Sequence, residues 1–528
     1  MNKEGKAVNN QHKSIFVVII LICGIAIIGL QAIKTTYDND IWWLLETGRE
    51  IIENGIPKTN PWAIHENMGI VIQQWIPSVI LFLIHKVGSF PGLEVMLVIQ
   101  IVILVLVLFR LGVFLTDNRN HEAILLVILI SLISLSTYFS SRPQIYTMIF
   151  YSCLILCLEE YRVKRERKYL YILPVITLIH VNFHASMAPF DMFIIALYLI
   201  PDLPGLLNRK IPAFKKIVFD QSDYDRKFLF IAFIAASFAL LINPYGLKGA
   251  AYLIESFGAA GYRDFINEMG ETHITSYSGF ADIVLIILGS MMIGKNGRRI
   301  DFPLTLLFLA TAFLSMTHER NIWLVALFSI PLIIKGIKDV DLSLPRINII
   351  NKRPVYIVFA FCVIDFLLIY SYANIWPTMV YYIDLSKTDT IDYPQQACDW
   401  LDEFASLNDI KQREIRLFNH FNNGGLLEYR GYLVTMDQRP ELWEPAITGI
   451  ETHYYQEFID FYSGDTPLEE YMGKYDWDFY IVRHDALVEK YMEEHPDTYQ
   501  EVKKCNGYSL WGEKDDLVNK LMPVEEVK

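Results

Sequence analysis

Apolar stretches long enough to cross a bilayer recur along this chain and then stop, and no other feature constrains its fold as strongly. They lie near residues 15–33, 92–116, 122–138, 143–159, 169–183, 187–200, 228–243, 279–293, 302–316, 321–335 and 355–373. A bilayer-spanning helix needs roughly 20 mainly apolar residues. Runs of this kind in this number exclude a water-soluble globular protein, so a polytopic α-helical membrane protein with about eleven spans is expected. A further stretch, 75–87, is short and carries Pro77, His85 and Lys86. It suits a re-entrant or interfacial helix better than a span.

Beyond Ala373 the composition changes sign. Residues 374–528 hold 31 Asp and Glu against 14 Lys and Arg, whereas the preceding residues hold 28 against 32. The acidity therefore belongs to a separate soluble domain of ordinary single-domain size. Such a domain has no electrostatic reason to seek nucleic acid or an anionic membrane surface. Strand-like runs at 414–418, 432–436, 479–483 and 508–511, with helical ones at 399–404 and 486–494, predict a small α/β layer. The expected organisation is an N-terminal segment 1–13, a membrane domain 14–373 with a first outer loop 34–91, and the acidic domain 374–528.

Lys and Arg set the orientation. Lys3, Lys6 and Lys13 precede the first run, and no small-x-small cleavage site follows it, so it reads as an uncleaved anchor with a cytoplasmic N-terminus. The connections 162–168, 209–227, 295–299 and 335–353 are rich in Lys and Arg and read as cytoplasmic. The short connections on the other side hold only Arg142 and Arg320. The acidic domain is then extracytoplasmic, and the expected location is a bacterial plasma membrane, among membrane lipids. Cys23, Cys153, Cys157 and Cys362 lie in apolar runs and read as packing residues. Cys398 and Cys505 share the outer domain, where pairing is chemically allowed.

The polar clusters least explained by packing all fall on the outer side. They are Asp38-Asn39-Asp40, Gln73-Gln74-Trp75, Ser140-Ser141-Arg142-Pro143-Gln144, Asn182-Phe183-His184, Asn243-Pro244-Tyr245-Gly246 and His318-Glu319-Arg320-Asn321. Polar groups at membrane depth are costly and usually mark a pathway or a site, so a cavity opening outward is expected. Each cluster also has a bland reading. Arg142 can snorkel to headgroups, His184 can bond a neighbouring helix, and Asn243-Pro244 can simply end a helix.

The first cluster is the most informative. Ile41, Leu44, Leu45, Gly48, Ile51 and Ile52 recur at helical spacing, which predicts an amphipathic helix along the interface with Trp42 and Trp43 as anchors. Asp40 would then be its N-cap. Alternatively, Asp38 and Asp40 converge on a divalent cation, Mg²⁺ or Mn²⁺, or take a proton from an acceptor hydroxyl.

These segments carry a resemblance. Asp38-x-Asp40-x-Trp42-Trp43, Thr47-Gly48-Arg49, Gly55 to Pro61, Gln74-Trp75, Arg142-Pro143-Gln144, Asn182-Phe183-His184, Asn243 to Gly246 and Arg320-Asn321 look like the GT-C superfamily of membrane glycosyltransferases. The chain is more closely similar to a bacterial family of GT-C-like membrane proteins. In the outer domain Asn423-Gly424-Gly425 and Met436-Asp437-Gln438-Arg439 continue the likeness, which covers most of the chain. Where that family often carries Asp-Pro and His-Glu-Trp, this chain has Asn60-Pro61 and Gln73-Gln74-Trp75.

The resemblance implies an inverting sugar transfer at the outer leaflet, from a polyprenyl-phosphate-linked donor to a glycan, lipid or protein acceptor. A first-loop Asp would serve as base or metal ligand. Arg142 and Arg320 would meet the phosphate, with Gln74, Trp75, Gln144, Asn182, His184, Asn243, His318 and Glu319 as further substrate contacts. The alternatives are a non-catalytic protein of envelope polysaccharide assembly and a lipid or polysaccharide transporter. A transporter would show repeated spans and mid-membrane charges, and of these only Asp191 and Asp365 are candidates.

Overall fold

The computed structural model describes residues 18–19, 21–30, 39–200, 218–219, 224–258, 277–295, 299–338, 393–484 and 486–514. The chain divides into two compact units, each drawn from separated segments.

The helical unit combines residues 1–35, 94–243 and 266–379. Each apolar run falls on a helix as far as its residues are described; 355–373 lies outside the described residues. Among the described residues, three helices can cross a membrane by length and composition: Trp75–Leu115, His121–Tyr138 and Glu319–Ile337. Leu21–Leu30, Lys168–Phe183, Pro189–Leu199 and Phe302–Thr317 are shorter and apolar. Leu97, Ile101, Leu104 and Leu108 are buried, while Val95, Ile99, Val102 and Leu106 on the other face of the same helix are more than half exposed. An apolar stripe of that kind would be a liability in water and is the ordinary outer surface of a helix in lipid.

The 75–87 stretch is helical and is joined to the next run in Trp75–Leu115. Ser89, at φ 49° and ψ −153°, breaks the helix two residues before Pro91. A proline lacks the N–H of the ladder and clashes with the carbonyl four residues back, which accounts for a break at this point.

Deep in the helical unit, four charges close on one another. Arg162 donates to Asp301 at 2.7 Å and to Glu159 at 3.2 Å. Lys335 donates to Asp301 and, at 3.5 Å, to Glu159, which also accepts from the Tyr198 hydroxyl at 2.8 Å. Asp301 additionally caps the Phe302–Thr317 helix through the Leu304 N–H.

The sheet unit combines residues 36–93, 244–265 and 380–528. Its sheet has five strands, β1 (Arg416–Asn419), β2 (Leu433–Val434), β3 (Phe479–Arg483), β4 (Tyr499–Lys504) and β5 (Tyr508–Glu513), in the order β2-β1-β3-β5-β4. The β2, β1 and β3 pairings are parallel and the rest antiparallel. The first loop extends this sheet. Val434 donates to the Trp62 carbonyl at 2.9 Å and accepts from Ile64 N–H at 3.0 Å, so Ala63 lies parallel beside β2. Cys398 and Cys505 are buried free thiols, and burial pushes the Cys398 thiol up to about 12.

The helix predicted after the first span is present at Asp40–Asn54, but its surroundings differ from the expectation. Trp42, Trp43, Glu46, Thr47, Gly48 and Glu50 are all buried. Trp42 packs edge-on against Phe90 and Tyr393, and Arg439 lies over the Trp43 ring at 4.7 Å. These indoles therefore anchor the helix in protein, not at a lipid boundary. Asn39 precedes the first helical residue, Asp40, so Asp40 is not the cap. Amphipathicity identified the helix correctly, but both of its faces are covered.

Candidate functional site

Two glycines let the loop helix sit where it does. A Cβ on Gly48 would lie 2.1 Å from the Ser78 carbonyl oxygen, so the loop helix crosses the Trp75–Leu115 helix at backbone contact. A Cβ on Gly424 would lie 2.2 Å from the Met436 carbonyl oxygen. That closeness seats the Phe421–Arg430 helix on the segment 436–439, with Gly425 N–H donating to the Gln438 side chain at 2.9 Å. Gln438 in turn donates to the Asn422 carbonyl at 2.8 Å and, at 3.4 Å, to the carbonyl of Asn39. The start of the Asp40 helix, Asn423-Gly424-Gly425 and Met436 to Arg439 thus meet in one place. Asp38 lies outside the described residues.

Beneath this junction is a buried ionic cluster. Arg439 donates to Asp437 and to both oxygens of Glu428, at 3.1 and 3.3 Å, and Asp437 also accepts from Trp443 Nε1 at 3.2 Å. Burial, with the Asp437 charge, holds the Glu428 carboxyl well above its usual range. Burial opposes ionisation of Asp437 too, but the Arg439 charge and hydrogen bonds overcome it and hold Asp437 low. Nearby, Glu46 accepts from Trp62 Nε1 at 3.0 Å and pairs with Arg49, yet burial still pushes its carboxyl up to about 7. His65, stacked on Tyr454 at 4.0 Å, is pulled down to about 4 by burial.

Gln74 and Trp75 also belong to the sheet unit, at the start of the Trp75–Leu115 helix. There the Gln74 carbonyl accepts from both the N–H and the hydroxyl of Ser78. Gln73, beside them, donates to the Tyr252 hydroxyl at 2.6 Å.

The remaining predicted site residues belong to the helical unit. Gln144 opens the Gln144–Lys164 helix, with Arg142 and Pro143 in the turn before it. Asn182 donates to the carbonyls of Leu178 and Ile242, the latter immediately before Asn243. His318, Glu319 and Arg320 form a short turn held by the Tyr138 hydroxyl, which donates to the Glu319 carbonyl at 2.6 Å. His184 is buried, and its Nδ1 lies 2.8 Å from Thr147 Oγ1. Thr147 also bonds His180, whose other nitrogen meets Asp191. Thr147 and His180 were not singled out in the sequence. The spacing of His180 to His184, one helical turn, was the available signal.

No family model matches the chain, and none of the curated proteins does. Among solved structures it is similar to an oligosaccharyltransferase of Archaeoglobus fulgidus tethered to an acceptor peptide with an NVT sequon, at 12% identity and TM-score 0.48, covering 88% of this chain and 69% of that one. It is also similar to ArnT from Cupriavidus metallidurans bound to undecaprenyl phosphate, at 11% identity and TM-score 0.49, covering 96% and 99%. Likenesses of this strength assign no residue a role.

Proposed function

We propose that this chain is a cell-envelope glycosyltransferase of the GT-C class, transferring a sugar from a polyprenyl-phosphate-linked donor at the outer face of the membrane. One observation carries the reading. The helix that begins at Asp40 is seated on Asn423-Gly424-Gly425 and Met436 to Arg439, segments that carry the family resemblance yet lie nearly 400 residues on in the chain. A helix cap or a lipid anchor would need no such seat.

In this reading Asp38 or Asp40 takes the proton of the acceptor hydroxyl, a role that requires hydrogen-bond reach to it. The leaving group is a lipid phosphate, and Arg142 and Arg320 stabilise the charge that develops on it. Among the described residues no three His, Cys, Asp or Glu side chains converge to hold a metal. Mg²⁺ is commonly held by one or two carboxylates plus substrate phosphate, so Asp38 and Asp40 are the residues that would hold a divalent cation. The cation would supply Lewis-acid stabilisation of the phosphate.

Mass spectrometry of co-purifying lipids tests the reading. Asp40→Asn and Asp38→Asn are expected to slow transfer by about 10²–10⁴-fold, with stability within about 1 kcal/mol of wild type. A glycosylated polyprenyl phosphate should accumulate on the variants. Bulk phospholipid alone on both proteins would favour the non-catalytic assembly role instead.

A further inference from the structure

Three helices of the helical unit contribute one continuous buried relay. Asp191 Oδ1 lies 3.0 Å from His180 Nδ1, His180 Nε2 lies 3.0 Å from Thr147 Oγ1, and Thr147 Oγ1 lies 2.8 Å from His184 Nδ1. Asp191, His180 and Thr147 have no exposed surface, and His184 has 8%. The second oxygen of Asp191 is buried and accepts no hydrogen bond among the described residues.

The relay can run with either polarity. In one, His180 Nε2–H donates to the Thr147 hydroxyl, whose own hydrogen goes to His184 Nδ1; in the other, Thr147 donates to His180 Nε2 and accepts from His184 Nδ1–H. Only the first leaves neutral His184 with its hydrogen on Nε2, the nitrogen for which the described residues provide no partner. The Arg320 charge also acts on this ring, so an anionic oxygen is the group that both would bind.

We propose that Asp191, His180 and Thr147 are positioning residues that hold His184 as an Nε2–H donor to a phosphate oxygen of the lipid-linked donor, an assignment that rests on the glycosyltransferase reading above. The device is distinct from simple interhelical adhesion. Adhesion would be indifferent to which nitrogen of His184 bears the proton, whereas donation to phosphate requires Nε2.

The test uses the full chain in nanodiscs, with ¹⁵N-histidine spectra and undecaprenyl phosphate as the probe. The His184 signal is assigned by its loss in His184→Gln. Wild type should show His184 protonated at Nε2. Thr147→Val should mix the two tautomers and weaken undecaprenyl phosphate binding about tenfold, and Thr147→Ser should restore both. His184 protonated at Nδ1 in a protein that binds the lipid would overturn this inference and leave the proposed function standing. An Nε2-protonated His184 in a protein that ignores undecaprenyl phosphate would overturn the phosphate assignment and the proposed donor together. Equal lipid affinity in wild type and Thr147→Val, with the tautomer changed, would also remove the relay's role.

Discussion

The two units each bury an ionic cluster, and the clusters are built on opposite principles. In the helical unit Glu159 and Asp301 are matched by Arg162 and Lys335, with Tyr198 completing the bonds. In the sheet unit a single guanidinium, Arg439, serves both Asp437 and Glu428, with the Glu46 charge also felt by Glu428. A matched cluster can stay ionised and act as a pin. An unmatched one has to keep protons, so its stability depends on pH. The first kind ties helices together whatever the conditions, while the second lies directly under the proposed catalytic loop.

Removing the single cation should cost most. Arg439→Ala takes the cation from two buried carboxylates and uncovers the Trp43 and Trp62 rings, for an expected loss of about 3–5 kcal/mol. Thermal melting and limited proteolysis of the sheet unit would read it. Arg162→Met removes one cation of two, and Lys335 still reaches both carboxylates, so about 3 kcal/mol is expected. A larger loss in Arg162→Met than in Arg439→Ala would break the contrast.

The smallest effect concerns protons. Glu46 rises from 4.5 to about 7 on folding, so between those pH values the folded chain keeps a proton that the unfolded chain has released. Its contribution to stability is present below about 4.5 and is lost as pH rises to about 7. His65 has the opposite sign. Its folded value of about 4 lies below the usual 6.5, so acidification through that window favours the unfolded chain. Glu46→Gln should therefore turn a shallow pH profile into a steady loss of stability on acidification. The difference from wild type would be at most about 3 kcal/mol. Superimposable melting curves for the two proteins from pH 4.5 to 7 would count against the unmatched-cluster account.

Much of this architecture is legible from local pattern. The apolar runs among the described residues fall on helices, and the strand read at 479–483 is β3 residue for residue. The helix read at 486–494 begins one residue later, at Leu487. The Tyr499–Lys504 strand was missed because an edge strand rich in Gln, Glu and Lys shows little apolar alternation. The Phe421–Arg430 helix was missed because Gly424-Gly425 argues against helix, whereas here the glycines are needed for close approach. The double burial of the loop helix was beyond local pattern altogether. Glu46, Arg49 and Glu50 lie off its apolar stripe, and their partners Trp62, Tyr429 and Arg413 lie elsewhere in the chain. Asp40, Asn182 and His184 could be singled out as polar residues at helix ends. The bond from His184 through Thr147 to His180 depends on packing that no spacing rule encodes.

Arg49 donates to the carbonyl of Tyr429, 380 residues further along the chain. At a synthesis rate of roughly 5–20 residues per second, the loop helix emerges about 20–80 s before the helix that receives it. Throughout that interval its two tryptophans and its buried carboxylates have no partner from the sheet. The loop is thus the oldest part of its unit and among the last to be satisfied, and a ribosome stalled late in the message would leave it open to proteases and chaperones.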